Sequence, residues 1–456
     1  MTTRVAVIGG GITGLAAAWE LSADPDVEIT VLEAGPRWGG KIHTSKFAGM
    51  PVDEGADAFL RRVPEGLTLA GELALEDRLV SPAASNALVW ARGQLRELPA
   101  GLVLGVPTDL DAVAASGILT AAGVDRARAE ADLGGPPLGA DETIGSLVRR
   151  RYGDDVLEHL VEPLIGGINA GEADRLSVDA VTPQIAEAAR RGPSLTRTLR
   201  DRPAVEAGPV FSGLSTGMGT LIDELTIHLA ARGATLLTGT TAGAVESVGA
   251  GWRVVGEDLD LLVDAVIVTV PCRPAARLIA PIAPAAAGLL QSITASSVAM
   301  VTIGFDPHDL GRPLDASGFL VPRDAGLTIT AASWASTKWA HLGGGPAILR
   351  VSVGHDTDPE PVSWDDDRIL AAVLADLDAT VGVRGEPTEV RICRYVDGLP
   401  QYAVGHLDLC DRIDSELAST PGLLVTGAAF RGLGIPACIR QGRAAGRAVL
   451  DLDPAR

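Results

Sequence analysis

Residues 5–14 read Val-Ala-Val-Ile-Gly-Gly-Gly-Ile-Thr-Gly, and no other stretch of the chain restricts the fold so strongly. A short β-branched run ends in Gly9, Gly11 and Gly14, spaced G-x-G-x-x-G, with Gly10, Ile12 and Thr13 between them. An Ala-rich, helix-like run over 15–21 follows, then a second β-branched run over 28–32 that ends in the acid Glu33. Strand, tight turn, helix, strand and acid, in that order, make a dinucleotide-binding βαβ unit. Gly9 permits the turn, Gly11 lets backbone approach a pyrophosphate, and Gly14 lets the helix pack close to the strand. The helix N-terminus offers free N–H groups to the phosphates, and Glu33 can accept ribose hydroxyls.

After Glu33 the chain reads Ala34-Gly-Pro-Arg37-Trp-Gly39-Gly40-Lys41. Arg37 can pair with phosphate, and adjacent glycines let backbone lie against a cofactor. A plain surface turn is the other reading, since Gly-Pro and Gly-Gly punctuate loops. The Glu-Ala pair followed by Arg-x-Gly-Gly resembles the FAD-binding amine-oxidase superfamily, where it lies against the flavin. Val52-Asp-Glu-Gly55-Ala56-Asp57-Ala58-Phe59 resembles the segment that the superfamily runs along its flavin. At the far end, an apolar run over 423–426 stops at Gly427, and Gly432-Leu-Gly434-Ile435-Pro436-Ala437-Cys438 leads into a helix pattern. Strand, Gly-rich turn and helix make a second anion-binding end. Superfamily members close their flavin site with such a C-terminal segment, which implies a nucleotide fold built from both ends of the chain.

At 456 residues there is room for two or three domains, and 46% apolar with 21% charged residues is an ordinary globular balance. The net charge of −20 argues against nucleic acid and against electrostatic adsorption to anionic lipid, so an anionic substrate needs a local patch of Arg or Lys. Cys272, Cys393, Cys410 and Cys438 lie far apart without C-x-x-C spacing, and the histidines do not cluster. They read as reduced thiols of a cytosolic protein, with no metal site. The chain enters a strand at once, so no signal peptide is expected, and no stretch offers about 18 uninterrupted apolar residues. A cytoplasmic protein with at most peripheral membrane contact is expected. The apolar-rich stretch 98–123, broken by Pro107, Asp109 and Asp111, is expected to be helix packed within the protein.

The expected class is α/β, α+β overall. A discontinuous Rossmann-like FAD-binding domain (1–60, 205–270 and 393–456) would carry an antiparallel-sheet substrate domain (61–84 and 271–392) and an inserted helical domain (85–204). Helical periodicity runs through the insert, for example at 143–150 and 156–161. Runs at 298–303, 318–321, 347–353 and 388–392 alternate with turns as strands do, and 366–381 reads as one helix.

The most specific text is Leu399-Pro400-Gln401-Tyr402-Ala-Val-Gly405-His406. It resembles the Pro-Gln-Tyr-x-x-Gly-His stretch of the protoporphyrinogen and coproporphyrinogen oxidase family. Glu162 to Gly171, Gly318 to Pro322, Ser336-Thr-Lys338-Trp339 and Gly434 to Ile439 match the same family in order. Each has a structural reading beside it: a turn next to a core tyrosine, a structural His406, a solvated Lys338.

The resemblance, strongest to the coproporphyrinogen III oxidase branch, implies non-covalent FAD. Its contacts would be Gly9 to Gly14, Glu33, Ala34, Arg37, Gly39, Gly40, Lys41, Gly55 to Ala58, Val245, Tyr395, Gly427, Ile435, Pro436 and Ala437. It implies coproporphyrinogen III and molecular oxygen as partners, and product hand-over to a ferrochelatase. An Arg that mitochondrial relatives use for a substrate propionate is absent from 85–88, which leaves Lys338, Arg61, Arg62 and Arg92 as propionate candidates. No catalytic acid or base is expected, because pyrrole nitrogens lose protons readily once the macrocycle is oxidised. Alternatives on the same frame are a protoporphyrinogen IX oxidase, an amine oxidase, a desaturase, and a non-catalytic porphyrin-binding flavoprotein.

Overall fold

The computed structural model describes residues 2–203 and 208–452. The two β-branched N-terminal runs form β1 (Thr3–Ile8) and β2 (Val27–Leu32), and later runs add β3 (Thr235–Leu237), β4 (Ala265–Val268) and β5 (Leu423–Val425). The five are parallel, in the order β3-β2-β1-β4-β5. A parallel sheet is covered on both faces, which is why these strands are apolar nearly throughout. On one face Val5, Val7, Val31 and Ile267 pack against helices α1 (Ile12–Leu21), α2 (Gly219–Ala231) and α3 (Ile435–Leu450). On the other, Ala6, Ile8, Val266 and Val268 meet a small antiparallel sheet over 244–263 and the helices Cys272–Ile279, Pro284–Ser292 and His406–Leu417.

Helices α1 and α3 run side by side in the same direction. A Cβ on Gly442 would lie 2.1 Å from the Thr13 carbonyl oxygen, so only glycine allows this approach. Both helix N-termini therefore open at the carboxyl ends of β1 and β5, where α/β sheets bind their ligands.

A second sheet has seven strands, in the spatial order Glu389–Pro400, Ala295–Phe305, Ala347–Val353, Ile329–Trp334, Gly318–Leu320, Leu88–Ala91 and Gln94–Glu97. It departs from an all-antiparallel sheet at one join, where Gly318–Leu320 pairs parallel to Leu88–Ala91. That hairpin comes from far upstream and docks on the sheet margin, so no tight turn fixes its direction. Helix Asp366–Val381 covers one face. Helices between Leu110 and Arg200 enclose a third core around Leu147, Tyr152, Leu160 and Ile185.

We read these layers as three parts, with two borders moved. The 88–97 hairpin, allotted above to the helical insert, belongs to the seven-stranded sheet, and the strand Glu389–Pro400 runs through the expected 392/393 border. Strand pairing decides both cases, and composition does not register pairing. The border expected at 204/205 lies outside the described residues. Nor is 98–123 one helix: it holds a two-strand turn (Leu102–Val103 and Val106–Pro107) and the helix Leu110–Ser116, capped by Asp109. Its Val106, Val113 and Ile118 are buried in the helical core. Among the described residues no helix is long and apolar enough to cross a membrane.

Candidate active site

Gly9 turns the chain off β1 at φ +118°, and Gly14 backs onto the Gly9 carbonyl, where a Cβ would lie 2.0 Å away. Gly11 is the exception: a Cβ there meets nothing within 4 Å. The space that a side chain would fill lies directly before the first turn of α1, which has neither a side-chain cap nor an acid. The N-terminus of α3, at Gly434, likewise has no side-chain cap and no acid in its first turn, and Ile435 and Pro436 are buried behind it. Two positive helix ends opening on one space fit a pyrophosphate and an electron-rich ring edge.

Glu33 does more than wait for ribose hydroxyls. Its two oxygens accept the Gly10 N–H at 2.8 Å and the Gly35 N–H at 2.7 Å, binding the first turn to the next loop while two lone-pair positions stay free. The Gly39 N–H donates to the Gly10 carbonyl at 2.8 Å, and the Trp38 ring covers the Gly10 backbone. Trp38 escaped the sequence reading. Arg37 is exposed and bonds to carbonyls of its own loop, Trp38 and Gly40, so its charge is free to meet phosphate. Lys41 reaches accessible space, and burial by the surrounding protein lowers its ammonium pKa. Val245, on the edge strand Ala244–Val248, is fully buried and offers no accessible surface to a cofactor. Gly427 turns the chain after β5 at φ +133°.

The 53–58 segment is held most firmly. A Cβ on Gly55 would lie 2.0 Å from the Lys41 carbonyl and 2.9 Å from the Tyr395 hydroxyl. Tyr395 thus faces this turn, and burial raises its pKa to about 12. Asp57 Oδ2 receives the Lys338 ammonium at 2.8 Å, the Trp339 indole N–H at 3.1 Å and the Arg350 guanidinium at 3.0 Å. Burial alone would raise the Asp57 pKa; Lys338 and Arg350 outweigh it and hold the carboxyl well below the usual range. Asp53 differs. Burial pushes it up to about 6, although its Oδ1 accepts the Thr44 hydroxyl and the Met218 N–H.

The four propionate candidates do not form one cluster. Lys338 is no free rim lysine: its side chain is 18% exposed and committed to Asp57. Arg61 is exposed and donates to the Ser212 hydroxyl at 3.1 Å, and Arg62 is exposed beside Gln184. Arg92 occupies the positive-φ turn of the 88–97 hairpin, at the sheet margin.

Residues 400–406 brace the site from behind. The Tyr402 ring stacks on His406 at 4.1 Å; its hydroxyl donates to the Ala428 carbonyl and accepts the Gly432 N–H. His406, whose pKa burial lowers, bonds through Nε2 to the Phe430 carbonyl at 2.8 Å. Both rings thereby fix the turn that launches α3. Glu162 accepts the Ala173 N–H and pairs with Arg323, which also reaches the Gly171 carbonyl and so ties the helical part to the sheet.

A model of the flavin-containing amine oxidoreductases matches residues 12–450. The chain belongs to that family. Its cofactor is FAD, and the cradle of Gly11, Arg37 and the two helix ends fits it. This amine oxidoreductase is 34% identical over 97% of both chains to a coproporphyrinogen III oxidase of Bacillus subtilis (strain 168), and 37% identical over 98% of both to one of Mycobacterium leprae (strain TN). A crystal structure of a putative protoporphyrinogen oxidase from Exiguobacterium sp. 255-15 superposes with a TM-score of 0.90 at 33% identity, covering 98% of this chain and 99% of that one. Putrescine oxidase shares the fold, with a TM-score of 0.70 at 15% identity.

Proposed function

We propose that this FAD-dependent oxidase converts coproporphyrinogen III to coproporphyrin III in haem synthesis, with oxygen as the terminal electron acceptor. The observation that carries the reading is the likeness, along nearly the whole chain, to coproporphyrinogen III oxidases of several bacteria. FAD held there would supply two-electron redox chemistry between substrate and oxygen, in which one porphyrinogen and three O₂ would give one porphyrin and three H₂O₂.

The chain's own residues bind and orient. The α1 and α3 ends and Arg37 take the cofactor's negative charge, while the Tyr395 hydroxyl packs directly against the 55–58 turn. Of the groups described there, Asp57 is held ionised, Tyr395 is raised to about 12 and His406 is committed to Phe430, while Asp53, raised to about 6, is buried and turned onto the Thr44 hydroxyl and the Met218 N–H. That supports a reaction in which the substrate's pyrrole nitrogens release the protons themselves. With Lys338 committed to Asp57, Arg61 and Arg62 are exposed cations, and neither has a carboxylate partner among the described residues; we assign them to the propionates.

Anaerobic addition of coproporphyrinogen III should bleach the flavin band. In air, kcat/KM should favour coproporphyrinogen III over protoporphyrinogen IX. The Exiguobacterium relative's name makes the second substrate the competing reading, and a clear advantage for it would overturn ours.

A further inference from the structure

We propose that Arg350 is a positioning residue for the cofactor: from the middle of the seven-stranded sheet it sets the flavin-facing turn at 55–58, through the Gly55 carbonyl and the Asp57 carboxylate. The inference rests on the FAD site and names what holds that site in place.

Arg350 lies in the strand Ala347–Val353, paired with Thr302 on one side and Ser333 on the other. Its side chain is 6% exposed, in a strand whose other residues are apolar except Ser352. One guanidinium nitrogen donates to the Gly55 carbonyl, and the other pairs with Asp57 at 3.0 Å. A planar guanidinium fork can hold a carbonyl by hydrogen bond and a carboxylate by charge from two nitrogens fixed in one plane, which an ammonium does not do. Gly55 is confined from the opposite side as well, because the Lys41 carbonyl leaves no room for a Cβ. The turn is therefore gripped between the loop that carries Lys41 and the sheet that carries Arg350.

Lys338 and Trp339 complete the grip. They reach the same Asp57 oxygen from the short helix Ala335–Lys338 and the residue after it, next along the chain from the strand Ile329–Trp334. All three groups, two hydrogen-bond donors and the Arg350 cation, come from the substrate-side sheet and its connection, and all converge on one carboxylate of the nucleotide-binding part. Lys338 then acts through Asp57, not on a propionate.

The test strips the full chain of FAD and titrates the cofactor back, following quenching of flavin fluorescence, the visible spectrum and the midpoint potential of the bound flavin. Arg350→Met should weaken FAD binding at least tenfold and shift both spectrum and potential. Arg350→Lys, which keeps the charge but loses the fork, should fall between Met and the parent. Lys338→Met should weaken FAD binding and leave the KM for coproporphyrinogen III unchanged. Combined with Asp57→Asn, it should add nothing to the effect of Asp57→Asn alone. Parent-like FAD affinity and an unshifted spectrum in Arg350→Lys, or in Arg350→Met where it folds, would overturn the proposal. A raised KM with unaltered FAD affinity in Lys338→Met would return Lys338 to the substrate and overturn its part here. A parent chain that takes up no FAD would instead remove the cofactor assignment on which all of this rests.

Discussion

Replacing Asp53 by Asn should make the protein more stable at pH 8 and leave it unchanged near pH 4. Asp53 is 8% exposed, and burial raises its pKa from 3.8 to about 6 against the opposing pull of Thr44, Arg350 and the Met218 N–H. A carboxyl whose folded pKa is raised favours the protonated fold. Its contribution is fully present below the unfolded value and is lost as pH rises through the folded one. The window is therefore about pH 4 to 6. Roughly two pKa units at 1.36 kcal/mol each amount to about 3 kcal/mol that the parent loses on crossing it. Asn keeps an Oδ1 to accept from Thr44 and Met218 and has no proton to release, so it escapes the loss. Melting of both proteins, saturated with FAD, followed by circular dichroism from pH 4.5 to 8, reads this as a difference in Tm that grows to a few degrees and levels off above about pH 6.5. Other titrating groups are common to both proteins and cancel. A difference that stays flat with pH, or that favours the parent at pH 8, would refute the reasoning.

Gly11→Ala should melt like the parent in the absence of FAD, because the added methyl meets nothing within 4 Å, yet should fail to bind FAD in a fluorescence titration; unimpaired binding would move the pyrophosphate elsewhere. Gly442→Leu must push α3 away from the Thr13 carbonyl, now 2.1 Å from where its Cβ would sit, and should cost about 2–3 kcal/mol as well as FAD affinity, both measurable by urea unfolding and titration.

The parts of the fold that were legible are those whose signal is local. The turn at Gly9 to Gly14 and the second anion-facing end before Ile435 show in short glycine spacings, because backbone conformation and close approach are written residue by residue. The helix over 366–381 was readable from periodicity alone, with observed bounds of Asp366–Val381. The ion pair of Lys338 with Asp57 was not legible, for a different reason. Its neighbours in sequence describe a half-buried short helix, while the partner that defines its role, Asp57, lies at the other end of the chain. Arg350 left a trace that went unused, an Arg in the middle of the buried run Ala347–Val353; such a charge is almost never buried without a partner. The mixed sheet was invisible for the same cause as Lys338, since the pairing of Leu88–Ala91 with Gly318–Leu320 is written in neither segment.

The parallel sheet also imposes an order of events during synthesis. β1 leaves the ribosome long before β5 and α3. At about 5–20 residues per second, the first half of the cofactor cradle waits roughly 20–80 s for the second. Until then α1 lacks the helix against which Thr13 and Ala17 pack, and β4 shows an unpaired edge. Both helix ends of the cradle are present together only once α3 has been made and has packed against α1.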